Sequence, residues 1–70
     1  MGDIKYLVGK RIREIREDIN LSQKDLSFNS ELDRSYIASV ESGQRNISIV
    51  NLQKIAKALN TSLSELFKNI

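Results

Sequence analysis

Apolar residues recur three and four positions apart along nearly the whole of this chain, and no strand pattern competes with that spacing. Ile4, Val8, Ile12, Ile15 and Ile19, with Leu7, form one stripe at about 100° per residue, which predicts a long amphipathic helix from about Asp3 to Asp18. Asn20 can close it in the left-handed conformation. Ser22 and Asp25 read as a variant capping box that opens a short second helix, with Leu26 inward and an end near Phe28 or Asn29. Asp33 is placed to cap a third helix, which Gly43 terminates. The polar loop "QRNIS" follows, and its Ser48 is a candidate cap for a fourth helix whose core face is Leu52, Ile55, Ala56 and Leu59 and whose stop is Asn60. Ser62 and Glu65 form a second capping box, after which Leu63, Leu66, Phe67 and Ile70 carry the helical spacing to the last residue. The expected fold is all-α, one compact five-helix domain over residues 1–70 in which helices 2 and 3 make a helix-turn-helix.

A chain of 70 residues buries only roughly 60% of the surface its unfolded form exposes, so its core has to be economical. Without cysteine it can hold no disulfide, thiolate nucleophile or thiolate metal site, and without histidine it lacks the commonest general base and metal ligand. Its acids are scattered over helix surfaces, so the expectation is no enzyme, no metal and no cofactor. No apolar run approaches the roughly 20 residues that span a bilayer, and "MGDIKYLVGKRIREIRED" lacks the apolar core of a signal peptide, so no membrane is expected as a partner and a cytoplasmic location is. The net charge of +2 is unevenly spread. Residues 1–41 hold seven Lys/Arg against eight Asp/Glu, for −1, while residues 42–70 hold four against Glu65 alone, for +3. An anionic partner meets least repulsion in the second half and at the arginines that project from the first.

The third helix carries the functional clue. In "DRSYIASVESG", Ile37 and Val40 point one way, and Ser35, Ala38, Ser39 and Ser42 point the other, with Arg34 and Tyr36 along the edges. A solvated face in a chain that is 29% charged would carry Lys and Glu; this one is small, smooth and free of acids. Small uncharged side chains let a helix backbone sink into the major groove of DNA, about 12 Å wide, and an acid there would be repelled by phosphate. Arg34 can fork onto a base edge, most often guanine, and Ser35 and Ser39 can bond to almost any base. Tyr36 can set its hydroxyl on a phosphate or its ring on a thymine methyl. Gln23, at the start of helix 2, is placed to grip a phosphate, and Arg45 and Asn46 follow in an acid-free loop suited to a phosphate or the minor groove.

Together, "LSQKDLS…LDRSYIASVESGQRN" and "LQKIAKALNTSLSELF" resemble the helix-turn-helix family of phage repressors and Cro, and "LDRSYI" with "SGQRN" is most similar to the controller proteins of restriction-modification systems. The resemblance covers residues 7 to 68. It implies a homodimer that binds double-stranded operator DNA and regulates its own gene and the linked endonuclease gene, with RNA polymerase as a further partner. It puts Gln23 on the family's phosphate-gripping glutamine, Arg34, Ser35 and Ser39 on base-contacting positions, and Tyr36, Arg45 and Asn46 on backbone and minor-groove contacts. Arg16 and Glu41 fall on a pair that bridges helix 1 to the end of helix 3. The chain departs from the family at Glu31, where the turn usually has Gly, and at Ser27, usually Ala.

The apolar residues at the C-terminal end exceed what one face of a two-turn helix needs. Leu66 is read as core. For Ile47, Ile49, Leu63, Phe67 and Ile70, core and dimer interface are both open from the residues, and the resemblance favours the interface. A two-fold dimer implies an operator with inverted half-sites. The rival reading is a helical interaction module or antitoxin-like protein that binds a partner protein through this apolar face.

Overall fold

Among the described residues, four of the five helices begin at a short polar side chain that accepts a first-turn N–H. Asp3 accepts from the Lys5 N–H at 2.9 Å, and α1 runs Ile4–Asp18. Ser22 accepts from the Asp25 N–H at 2.9 Å while the Asp25 carboxylate accepts from the Ser22 N–H at 3.3 Å, completing the capping box that opens α2 (Gln23–Ser30). Ser48 caps α4 (Ile49–Ala58), and Ser62 caps α5 (Leu63–Leu66). The second capping box is half formed: Glu65 donates its N–H to Ser62 Oγ at 3.0 Å, but its carboxylate turns to Arg11, 3.6 Å away. The exception is α3 (Arg34–Glu41), where Asp33 occupies the cap position and its carbonyl accepts from the Ile37 N–H, yet its carboxylate makes no capping bond. The computed structural model describes residues 3–70; the first two residues of the domain expected over 1–70 lie outside them.

The first four helices stop in one way. Asn20, Glu31, Gly43 and Asn60 have φ of 60°, 61°, 80° and 56°, and the N–H after each reaches back to a carbonyl five residues earlier. These bonds are Leu21 to Arg16, Leu32 to Ser27, Gln44 to Ser39 and Thr61 to Ala56, at 2.9 to 3.2 Å. This arrangement satisfies carbonyls that a helix end otherwise leaves open. The left-handed residue, not the last apolar one, sets the end of α2, which runs to Ser30, slightly past the expected end. At the C-terminus the expectation fails: α5 stops at Leu66, because the Lys68 N–H bonds to the Glu65 carbonyl only three residues back and Asn69, at φ 67°, turns the chain. Phe67 and Ile70 do not continue one helical face.

Val8, Ile12, Leu26, Ile37, Val40, Leu52, Ile55, Ala56, Leu59 and Leu66 form the core, with Leu21, Leu32, Ile47 and Leu63 packed half-buried against it. The apolar stripe of α1 outruns the helices that cover it, so Ile4 and Ile19 are exposed, contrary to the uniform inward face expected. Gly9 marks where α1 crosses α3. A Cβ there would run into the Val40 and Glu41 carbonyl oxygens, so the crossing depends on its absence. Near it, Arg16 donates Nε to Glu41 Oε2 at 2.7 Å and Nη2 to Oε1 at 3.0 Å, and its Nη1 donates to the Leu21 carbonyl at 2.7 Å. The Glu41 carboxylate raises the Arg16 pKa further above its ordinary value, and burial opposes it. A raised base contributes stability at every pH below its unfolded value, so alkaline solution in the working range leaves this charge in place. No helix among the described residues is long and apolar enough to cross a membrane.

Candidate nucleic-acid interface

The turn between α2 and α3 is what holds α3 at its angle. Glu31 takes the left-handed conformation, the Leu32 N–H returns to the Ser27 carbonyl, and the Ser27 hydroxyl donates to the Leu32 carbonyl. Ser27 thus both leaves room for α3 and ties the turn. Leu26, Ile37 and Val40 anchor the pair to the core. With its buried side spent on Ile37, Val40 and Glu41, α3 leaves Arg34 and Ser35 exposed, with Ser39 and Ala38 half-buried beside them and Ser42 just past its end.

The one carboxylate in α3 is not on that surface. Glu41 is 7% exposed and locked to Arg16, so the charge that would oppose an anion is folded inward and neutralised. The serine hydroxyls are turned along the helix: Ser39 Oγ donates to the Tyr36 carbonyl at 2.9 Å, and Ser42 Oγ to the Ser39 carbonyl at 3.0 Å. Each hydroxyl keeps lone pairs for a further donor.

Gln23 is the first residue of α2, and its side-chain amide donates to Glu41 Oε1 at 3.1 Å. One carboxylate therefore joins α1, α2 and α3, and Gln23 has its side-chain orientation set from within the fold. Tyr36 is half-buried against the core; the Arg45 guanidinium lies over its ring, 5.0 Å from the centroid, and Asn51 donates to its hydroxyl at 3.1 Å. The structure thereby brings Tyr36 and Arg45 together. Asn51 escaped the sequence reading, because at the third position of α4 it looks like an ordinary first-turn polar residue. The only signal was that helical spacing sets it beside Ile55 at the flank of the core face, where it is half-buried, and nothing in spacing pairs it with Tyr36.

Asn46 is exposed in the loop next to Arg45. It lines an open groove of about 340 Å³ with Ile4, Lys5, Val8, Ile47, Leu52 and Phe67. Two of the expected interface residues, Ile47 and Phe67, therefore share a hollow, and Ile4, read only as part of the core stripe, joins them. Ile47 and Leu63 are half-buried against the core, whereas Ile49 is 72% exposed. Ile70 is not brought to this groove: it lines a different, more polar hollow with Leu7, Lys10, Arg11, Glu14, Lys68 and Asn69.

Comparison with known proteins places these features. Residues 12–66 match the family described as helix-turn-helix. Control protein C.MunI of Mycoplasma sp is 45% identical over 71 residues, which cover 100% of this chain and 96% of that protein. Control protein C.BamHI of Bacillus amyloliquefaciens is 42% identical over 93% of this chain and 82% of its own. Among solved structures, the restriction-modification controller protein C.AhdI from Aeromonas hydrophila has a TM-score of 0.89 at 50% identity, over 91% of this chain and 97% of that one. The controller protein C.Esp1396I, solved as a tetramer in complex with its natural 35 base-pair operator, has a TM-score of 0.90 at 34% identity, over 97% and 90%. The chain belongs to the helix-turn-helix family and, within it, to the transcriptional regulators that control restriction-modification systems.

Proposed function

We propose that this regulator binds double-stranded operator DNA as a homodimer, laying the outer face of α3 in the major groove and controlling its own gene and a linked endonuclease gene. The observation that carries the reading is the burial of Glu41 against Arg16, which leaves α3 without an exposed carboxylate while Arg34 and Ser35 stand free. In this reading Arg34 forks onto a base edge, Ser35 and Ser39 bond to neighbouring bases, Gln23 meets a phosphate at the start of α2, and Tyr36, Arg45 and Asn46 hold the backbone or minor groove. Ile47 and Phe67, with Ile4 in the same groove, supply the apolar centre of the dimer, and Ile49 and Leu63 extend it. Ile70, in the separate hollow, is not part of this apolar centre. The protein works in the cytoplasm without catalysis or a cofactor, and RNA polymerase is the further partner through which bound protein acts on transcription.

The test is selection of bound sequences from a random duplex library, followed by Ser35→Glu on the selected operator. A carboxylate in the first turn of α3 is favourable for the helix, because it meets the positive end of the helix dipole. In the groove it faces phosphates. The proposal predicts an unchanged or slightly raised melting temperature together with loss of operator binding; near-parental affinity in the folded variant would remove α3 from the groove.

A further inference from the structure

We infer that Asn51, in the first turn of α4, is a positioning residue for DNA binding: its side-chain amide fixes the direction in which the Tyr36 hydroxyl donates. The inference rests on the proposed contact between Tyr36 and the operator backbone.

A phenol has one proton to give and lone pairs that accept. Asn51 Nδ2 donates to the Tyr36 oxygen at 3.1 Å, so that oxygen has no reason to turn its own proton toward Asn51, and the O–H is left to point elsewhere. The ring beneath it is not free to swing. It packs against the core cluster, and the Arg45 guanidinium lies over it, 5.0 Å from its centroid. Asn51 is itself held, because its backbone N–H donates to Ser48 Oγ at 3.1 Å in the cap that starts α4. Stacking holds the ring, the amide orients the hydroxyl, and the cap holds the backbone that carries the amide.

The consequence is a donor aimed before DNA arrives. A freely rotating hydroxyl has to be ordered on binding, and its partner must compete with water for it; one oriented in advance avoids part of that loss. With the Arg45 guanidinium over the same ring, the two donors come from one stacked pair at the border of α3. Through Asn51, the start of α4 takes part in binding.

Four proteins test this: the parent, Tyr36→Phe, Asn51→Ala and the double variant, each titrated on the selected operator and on a scrambled duplex at one salt concentration. Removing the hydroxyl is expected to weaken operator binding roughly three- to tenfold, the net worth of one hydrogen bond. Asn51→Ala is expected to lose at least about half of that effect on a logarithmic scale and to add nothing when Phe already stands at position 36. Asn51→Leu, which keeps the branched heavy-atom skeleton and leaves the Ser48 cap intact, should behave as Asn51→Ala does and covers the case in which the smaller side chain unfolds α4. A residue that only held α4 in place would weaken binding by the same factor with tyrosine or phenylalanine at position 36, and that result overturns the inference. So does unchanged affinity in Asn51→Ala when Tyr36→Phe is weakened. If Tyr36→Phe binds as the parent does, the Tyr36 contact itself is wrong and the inference falls with it, while base reading by Arg34 stands untouched.

Discussion

Arg34 and Arg45 are both exposed cations, and their surroundings give them different work. Arg34 opens α3 with no partner among the described residues fixing its side chain, whereas Arg45 is stacked on Tyr36 in the loop beyond it. A guanidinium that forks onto a base carries sequence information, and one that meets phosphate carries only charge. Arg34→Ala is therefore expected to cost about 1 to 3 kcal/mol on the selected operator and to relax the choice of one base, with little change on a scrambled duplex. Arg45→Ala should weaken both duplexes and reduce the salt dependence by about one phosphate contact. Titrations on the two duplexes at several salt concentrations separate them, and equal losses on both duplexes for Arg34→Ala would contradict its assignment. At this scale the sequence was legible where a residue's type and helical position settle its direction, as for Arg34 and Ser35. It was not legible where the partner comes from elsewhere in the chain: nothing near Gln23 announces Glu41, and nothing near Tyr36 announces Asn51.

Helix starts and stops could be read well because each is a local event. The serine caps of α2, α4 and α5 and the asparagine or glycine stops of α1, α3 and α4 all involve residues within a few positions. Asp33 and the run to Ile70 misled because the outcome depends on what the free ends meet in space. Two substitutions test the packing at this scale. Glu31 carries a side chain in the left-handed region at a strain of about 1 kcal/mol, and glycine there loses about half of that gain to the greater freedom of its unfolded chain. Glu31→Gly should thus stabilise by about 0.5 kcal/mol and raise the melting temperature by roughly 2 to 4 °C; a lower midpoint would show that the turn is not strained. Gly9→Ala sets a gain of about 1 kcal/mol in helix propensity against overpacking of about 3 kcal/mol, because the new methyl meets carbonyl oxygens of α3 that cannot rotate away. A net loss of about 2 kcal/mol, or roughly 8 to 16 °C in calorimetry, is expected. A stabilised Gly9→Ala variant would mean that the two helices do not cross this closely.

Size decides how the whole molecule has to work. Eight residues of α3 make a rod of about 12 Å, which spans only a few base pairs, and the protomer measures 30 × 22 × 21 Å. One copy cannot reach two half-sites separated by about 34 Å, so specificity against a genome calls for two recognition helices held by an interface. The groove of Ile4, Ile47 and Phe67 has no residue of α3 in its lining and is suited to that interface. Replacing Phe67 by alanine should shift sedimentation toward the protomer and weaken operator binding together, whereas dimerisation unaffected by this change would move the interface elsewhere. That the interface would use Ile4 was hidden in the sequence, since Ile4 continues the core stripe of α1 and only the length of the covering helices exposes it. The most direct measurement compares the selected operator with the same duplex lengthened by about half a helical turn, roughly five base pairs, between its half-sites. A two-fold dimer reading both half-sites predicts two protomers on the original duplex and a loss of affinity of about a hundredfold or more on the lengthened one; equal affinity for both, with one protomer bound to each, would contradict it.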